Sequence, residues 1–281
     1  MLNFAFVLLL FYTSFYVAVT WFIDYFYPLL SIPKRLQHFN PLKYEVTAIM
    51  PVIEFDKPDF AVFEIEGLEP RMEALIERVR PKLTQLGYEL APFLSALCGE
   101  EMFPHVAKHA RRTVHAPKDT WVAWGPNKRG YKALPHFQVG MFGSHLFVVF
   151  AIIYESTNKI SFAEALSRNT EDVIKQLPGD YFWSTDHLDP RGTPHSEMGG
   201  EEYGEFARRL KEVKKAEVTC GLRIAKDDPV LQDQDRLIAL IQQTFERLLV
   251  LYRMASIPPK PSLPREGPKG LHPLDSRKFG E

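Results

Sequence analysis

Two apolar runs, Leu134 to Phe142 and His145 to Tyr154, are separated only by Gly143-Ser144. A two-residue connection that opens on glycine suits a tight turn, so the two runs are predicted to form an antiparallel hairpin. Alternation along the first run sends His136 and Gln138 to one face and Phe137 and Val139 to the other. The sheet is thereby expected to carry a polar pair on one of its faces.

Around this hairpin, helix-like and strand-like patterns alternate irregularly from about Met50 to Met254. Ala61–Ile65 reads as a strand ended by Gly67. Pro70 then opens a helix in which Met72, Leu75, Ile76, Val79, Leu83 and Leu86 recur at three- and four-residue spacing, and Pro81 should kink or divide it. Further helices are predicted over Ala91–Leu97, roughly Phe103–Thr113, Ser161–Leu177 and Tyr203–Lys215. A long one runs from Asp228-Pro229 to Tyr252, with Leu237, Leu240, Ile241, Leu248 and Leu251 on or near one face. Thr120–Trp124, Tyr181–Ser184 and Val218–Ile224 read as strands. The irregular order argues against a doubly wound sheet and for an α+β fold, a two-layer sandwich with an antiparallel-rich sheet and helices packed against it.

The ends differ from this block. Residues 1 to 23 carry no charge and are long enough to span a bilayer. They lack a basic n-region and a small-residue cleavage site, so an uncleaved anchor is the better membrane reading. Lys34 and Arg35 follow, which places the globular part in the cytoplasm. A competing reading has translation start at Met50, because Glu45-Val46-Thr47 lies where a purine-rich ribosome-binding sequence would precede it. The expected organisation is a hydrophobic leader or anchor over 1–31, a linker over 32–54, the α+β domain over 55–254 and a disordered proline-rich tail over 255–281. Membrane contact is expected only if residues 1–23 are translated. Cys98 and Cys220 belong to no C-x-x-C pair, so neither a disulfide framework nor a thiolate zinc site is indicated.

Charge is uneven along the chain. Residues 101 to 138 hold seven basic residues against two acidic ones, a local +5 in a chain whose net charge is −1. They also hold four of the nine histidines and two of the four tryptophans. Such a local field suits an anionic partner. On the predicted helix, Lys108 with Arg111 or Arg112 would present guanidinium forks to a phosphate or carboxylate, although a solvated basic helix end has the same composition. His105 and His109, four apart, would share a face and can chelate zinc. They lack the H-E-x-x-H glutamate and any thiolate, so a satisfied pair of histidines is the plainer reading and no cofactor is expected.

Trp121 and Trp124 are three apart on a strand and point to opposite faces, one of them toward the core. The other, with Lys128, Arg129 and Tyr131 of the following loop, offers the cations and rings that a nucleotide or a nucleic acid strand needs. An ordinary basic connection looks alike. His136 and Gln138 would approach the same region, as a hydrogen-bond network or as acid–base groups. Asp186, His187, Asp189 and His195 lie in a Gly/Pro-rich loop, read as a connection before a metal loop. There is no Walker loop, G-x-S-x-G elbow or G-x-G-x-x-G turn.

The stretches FEIEGLEPRMEAL (63–75), APFLSAL (91–97), GEEMFPHVAKHARRTV (99–114), DTWVAWGPNKRGYKALPHFQVG (119–140) and AIIYES (151–156) resemble the YktB-like family of bacterial proteins of unknown function. The resemblance covers most of residues 55 to 254. It implies a two-layer α+β sandwich, related in sheet topology to biotin ligases and class II synthetases, and it implies no activity. The functional expectation is an intracellular domain that binds an anionic small molecule or nucleic acid through Lys108, Arg111, Arg112, Trp121, Trp124, Lys128, Arg129, Tyr131, His136 and Gln138. Two alternatives are a hydrolase or transferase using His105, His109 and His136, and a protein-interaction module.

Overall fold

The computed structural model describes residues 52–256. The leader, the linker up to residue 51, the start at Met50 and the tail from residue 257 onward lie outside the described residues. Among the described residues, no helix is long and apolar enough to cross a membrane.

Seven strands form one sheet in the order β1-β2-β3-β4-β7-β5-β6, every neighbouring pair antiparallel. They are β1 (Phe103–Val106), β2 (Asp119–Gly125), β3 (His136–Phe142), β4 (His145–Ile152), β5 (Phe182–Ser184), β6 (Thr193–Pro194) and β7 (Val218–Ala225). The predicted hairpin is present, with Met141 opposite Leu146 across the Gly143-Ser144 turn. The helices are α1 (Lys57–Ala61), α2 (Leu68–Ala74), α3 (Arg80–Cys98), α4 (Lys159–Arg168), α5 (Thr170–Gln176), α6 (Gly200–Glu212) and α7 (Gln234–Ser256). The α+β sandwich expected from the sequence is the fold observed.

Register gives the sheet two unlike faces. One carries the facing pairs Phe137–Phe150, Val139–Val148, Phe150–Cys220 and Ile152–Val218, all buried under α3, α4 and α7 in a single apolar core. Trp124 is fully buried there, and its indole N–H donates to the Gly87 carbonyl of α3 at 2.9 Å. Phe137 packs against Phe150, Phe245 and Tyr252. The other face carries Asp119, Trp121, His136, Gln138, Thr219 and Arg223, and connecting loops cover it in place of helices. The domain's first residues are tied down as well, since the Phe55 N–H donates to Leu231 O and the Ile53 N–H to Gln234 Oε1.

Three local expectations are corrected. Residues 61–65 are not a strand but the end of α1 and a 3-10 turn over Val62–Glu64. The capping box between Asp56 and Asp59 nucleates helix immediately upstream, which the apolar spelling of Ala61–Ile65 hides. Ala91–Leu97 is not a separate helix but part of α3. Pro81 acts as expected: it follows a π-helical turn over Leu75–Val79, where the ladder widens before a residue with no N–H to donate.

The third correction concerns the basic motif. Phe103–Val106 is a strand, and residues 107–118 form an irregular loop, so the predicted helix over Phe103–Thr113 does not exist. The edge of β2 presents unpaired backbone groups, and β1 satisfies them from Phe103 opposite Gly125 to Val106 opposite Val122; this pairing outweighs the helical spacing. His109 lies in the left-handed region at φ 51, which a helix does not accommodate.

Truncating the core of the hairpin tests this architecture. Phe137→Ala is expected to destabilise the domain by about 3–5 kcal/mol, and Lys128→Ala by less than about 0.5 kcal/mol, in urea titrations. Equal effects of the two would contradict the assignment of Phe137 to the core.

Candidate site on the helix-free face of the sheet

Strand alternation lines the second face, and its polar groups are paired in a chain. The Tyr131 hydroxyl accepts the Trp121 indole N–H at 2.8 Å, and the Tyr131 ring packs edge-on against His136 with centroids 4.7 Å apart. His136 donates from Nδ1 to Leu134 O and accepts at Nε2 from the Gln138 amide, both at 2.8 Å. Burial holds His136 near a pKa of about 4, so it is neutral above that pH. Gly140 makes the close packing possible: a Cβ there would lie 2.4 Å from Phe147 Cζ and 2.6 Å from Trp121 Cβ.

Beside this chain lies a narrow recess, partly open to solvent, with a cavity volume of about 20 Å³. Its apolar walls are Phe142, Phe147, Val149 and Phe182, and its polar lining includes Asp119, Gln138, His187 and Arg223. The loop over 185–192 covers one side. Glu217, buried to 7 % exposure at the start of β7, pins that loop by accepting the His187 backbone N–H at 2.9 Å and its Nδ1 at 2.6 Å. Burial pulls the His187 pKa down, yet the Glu217 carboxylate outweighs it and lifts the imidazole above its ordinary value. Burial pushes Glu217 up, and the His187 bond brings it below its ordinary value, so both directions describe one ion pair. His187 Nε2 makes no hydrogen bond to the described residues.

Two further groups in the recess are poorly solvated. Arg223 stacks over Phe182 with its guanidinium carbon 3.8 Å from the ring centroid, and its Nε and Nη2 are buried with no acceptor among the described residues. Gly192 closes over it, where a Cβ would come within 2.7 Å of Nη2. Asp119 is 2 % exposed, and burial raises its pKa to about 6 despite the cations His187 and Arg112. A broader basic groove, lined by Arg71, Arg112, His115, Lys118 and Leu188, meets the recess at Asp119.

The residues singled out from sequence divide accordingly. Gln138 lines the recess, Arg112 lines the groove, and Trp121, Tyr131 and His136 form the hydrogen-bonded chain beside them. Lys108, Arg111, Lys128 and Arg129 lie on exposed loops outside the recess and the groove, and Trp124 lies in the core on the opposite face. His105 and His109 do not share a helical face. His105 Nε2 bonds to Asn127 O, and His109 Nε2 to Thr120 Oγ1 at 3.3 Å. Burial lowers both, His109 to about 4. His195 is buried against Trp183 and Tyr203 and accepts from both at Nδ1. Asp186, His187 and Glu217 bring ligand atoms within 4.8 Å of one another. The 2.6 Å contact is nonetheless a proton-sharing pair, shorter than the roughly 3.3 Å between two ligands held about 2.0 Å from one tetrahedral ion.

Sequence reasoning missed Asp119, Glu217 and Arg223, and it named His187 only within a loop read as a connection before a metal loop. For Arg223 a signal existed: on the predicted strand it shares a face with Thr219 and Gly221, a cation in a strand otherwise spelled for burial.

An α+β sandwich with helices on one sheet face and a polar, arginine-bearing recess on the other defines the class of protein. The chain belongs to the family described as Domain of unknown function (DUF1054), whose family model matches residues 55–252. It is 50% identical over 205 residues to a UPF0637 protein of Bacillus velezensis, covering 73% of this chain and 98% of that protein. Similar relatives occur in Lysinibacillus sphaericus (47%) and Bacillus licheniformis (46%), each over 73% of this chain and 97% of the relative. The YktB-like resemblance of the motifs is thus a family membership.

The buried Asp119 carboxyl makes a signed prediction. Its pKa stands above the ordinary 3.8, so native stability falls as pH rises from about 4 to about 6 and stays lowered beyond. Asp119→Asn is expected to remove that slope and to stabilise the protein at pH 7.5 by up to about 3 kcal/mol. Thermal melts from pH 4 to 7.5 check it, and an unchanged slope in the variant would refute the assignment.

Proposed function

We propose that the recess binds a small organic anion, a carboxylate or phosphate monoester with a compact apolar body. The observation that carries this reading is Arg223, whose Nε and Nη2 form the fork that grips carboxylate and phosphate and have no acceptor among the described residues. Leaving buried donors unpaired costs about 1–3 kcal/mol, which a ligand acceptor would relieve. Phe142, Phe147 and Phe182 suit a small apolar group, the adjoining groove of about 590 Å³ has room for the rest of the ligand, and Arg112 and Lys118 there favour approach of negative charge. A nucleic acid strand suits the geometry less well, because Lys128 and Arg129 lie apart from the recess.

Ligand-observed NMR with benzoylformate and phenyl phosphate tests this. The wild-type protein should bind at least one of the two, Arg223→Met should weaken binding at least tenfold without loss of stability, and Arg112→Ala should weaken it a few-fold. Undiminished binding by the folded Arg223→Met protein would falsify the reading.

A further inference from the structure

Three proton-handling groups meet at this recess in an order that binding alone does not require. The buried Glu217 carboxylate holds the His187 imidazolium through Nδ1, which fixes the ring and leaves its Nε2–H without a protein partner. Asp119 presents a carboxyl with no side-chain partner to the same recess. No activated nucleophile accompanies them: the Ser184 hydroxyl donates to Asp186 O at 2.9 Å, and Cys220 belongs to the core on the other face of the sheet. A base, an acid and a cation without a nucleophile make a set for moving protons on a bound anion.

We propose that the recess catalyses proton transfer next to a carbonyl group in an anionic substrate of the 2-oxo acid class, interconverting keto and enol forms. This rests on the anion-binding reading above, with the substrate carboxylate on Arg223. The Asp119 carboxylate takes a proton from the carbon beside the carbonyl, and the C–H electron pair becomes the C=C bond. The carbonyl π pair moves to oxygen, which takes the Nε2 proton of the His187 imidazolium. The product is an isomer of the substrate. Passage of the proton from Asp119 to His187 restores the starting state, so no co-reactant enters. Glu217 is a positioning residue that steadies the imidazolium, and the other charged or titratable groups acting on His187 are Asp119, Asp186 and His136.

The test uses phenylpyruvate in D2O, with loss of its C3 proton signal followed by NMR, and benzoylformate, which has no such proton, as the binding probe. Wild-type protein should accelerate exchange at least tenfold over buffer. His187→Asn and Asp119→Asn should each lower that rate at least tenfold with benzoylformate still bound. Glu217→Gln should move the basic limb of the pH–rate profile to lower pH, because the charge that raises the His187 pKa is gone, and Glu217→Asp should restore most of the wild-type profile. Wild-type exchange no faster than that of His187→Asn, with benzoylformate bound by both, overturns the proposal and leaves the binding reading standing. Exchange that a chelator abolishes and zinc restores also overturns it. Failure of wild-type protein to bind benzoylformate removes the carboxylate arm of the binding reading and the proposal together.

Discussion

Everything in this molecule follows from a sheet whose two faces are solvated differently. Side chains alternate along a strand, so a seven-stranded antiparallel sheet has to bury or wet each face as a whole. Here α3, α4 and α7 seal the face bearing Phe137, Val139, Val148 and Phe150, while loops roof the other. A loop roof excludes most water without supplying the dense apolar contacts of a helix layer. Polar side chains on that face are left in a poorly solvated setting where each needs a partner.

Most find one. Trp121 with Tyr131 and His136 with Gln138 close on each other, and the result is a rigid, largely neutral floor. The exceptions gather at one place, where Arg223 has two buried donors without acceptors and the Asp119 carboxyl has no side-chain partner. Desolvation dominates the electrostatics there. It raises Asp119 toward neutral pH and lowers His136, while His187 escapes only because Glu217 lies 2.6 Å away. Groups held out of their comfortable protonation states inside a recess are the arrangement that binding and acid–base sites share, and their destabilisation persists because the core beneath outweighs it.

Much of the frame was legible beforehand. The Gly143-Ser144 hairpin, the opposite fates of Trp121 and Trp124, the polar pair His136 and Gln138, and α6 and α7 all follow from periods of two or 3.6 that burial imposes. The stretch from 103 to 113 was misread because its spacing suits a helix, whereas the open edge of β2 decided in favour of a strand. That one change dispersed the basic motif: Lys108 and Arg111 became loop residues, and His105 and His109 found separate partners. The loop over 185–192 read as a plain connection, since nothing local marks a histidine whose partner, Glu217, lies thirty positions onward.

The amino-acid order by itself determined the alternation of each strand, the amphipathic faces of the helices and hence the α+β class, because these depend on contacts between near neighbours along the chain. Only tertiary structure decided where function is to be sought. Asp119, His187, Glu217 and Arg223 come from two strands, the residue before one of them and a loop, and their unusual protonation and unmet hydrogen bonds arise from the water that the assembled loops exclude. Solvent exclusion is a property of the folded surface, and no stretch of residues carries it alone.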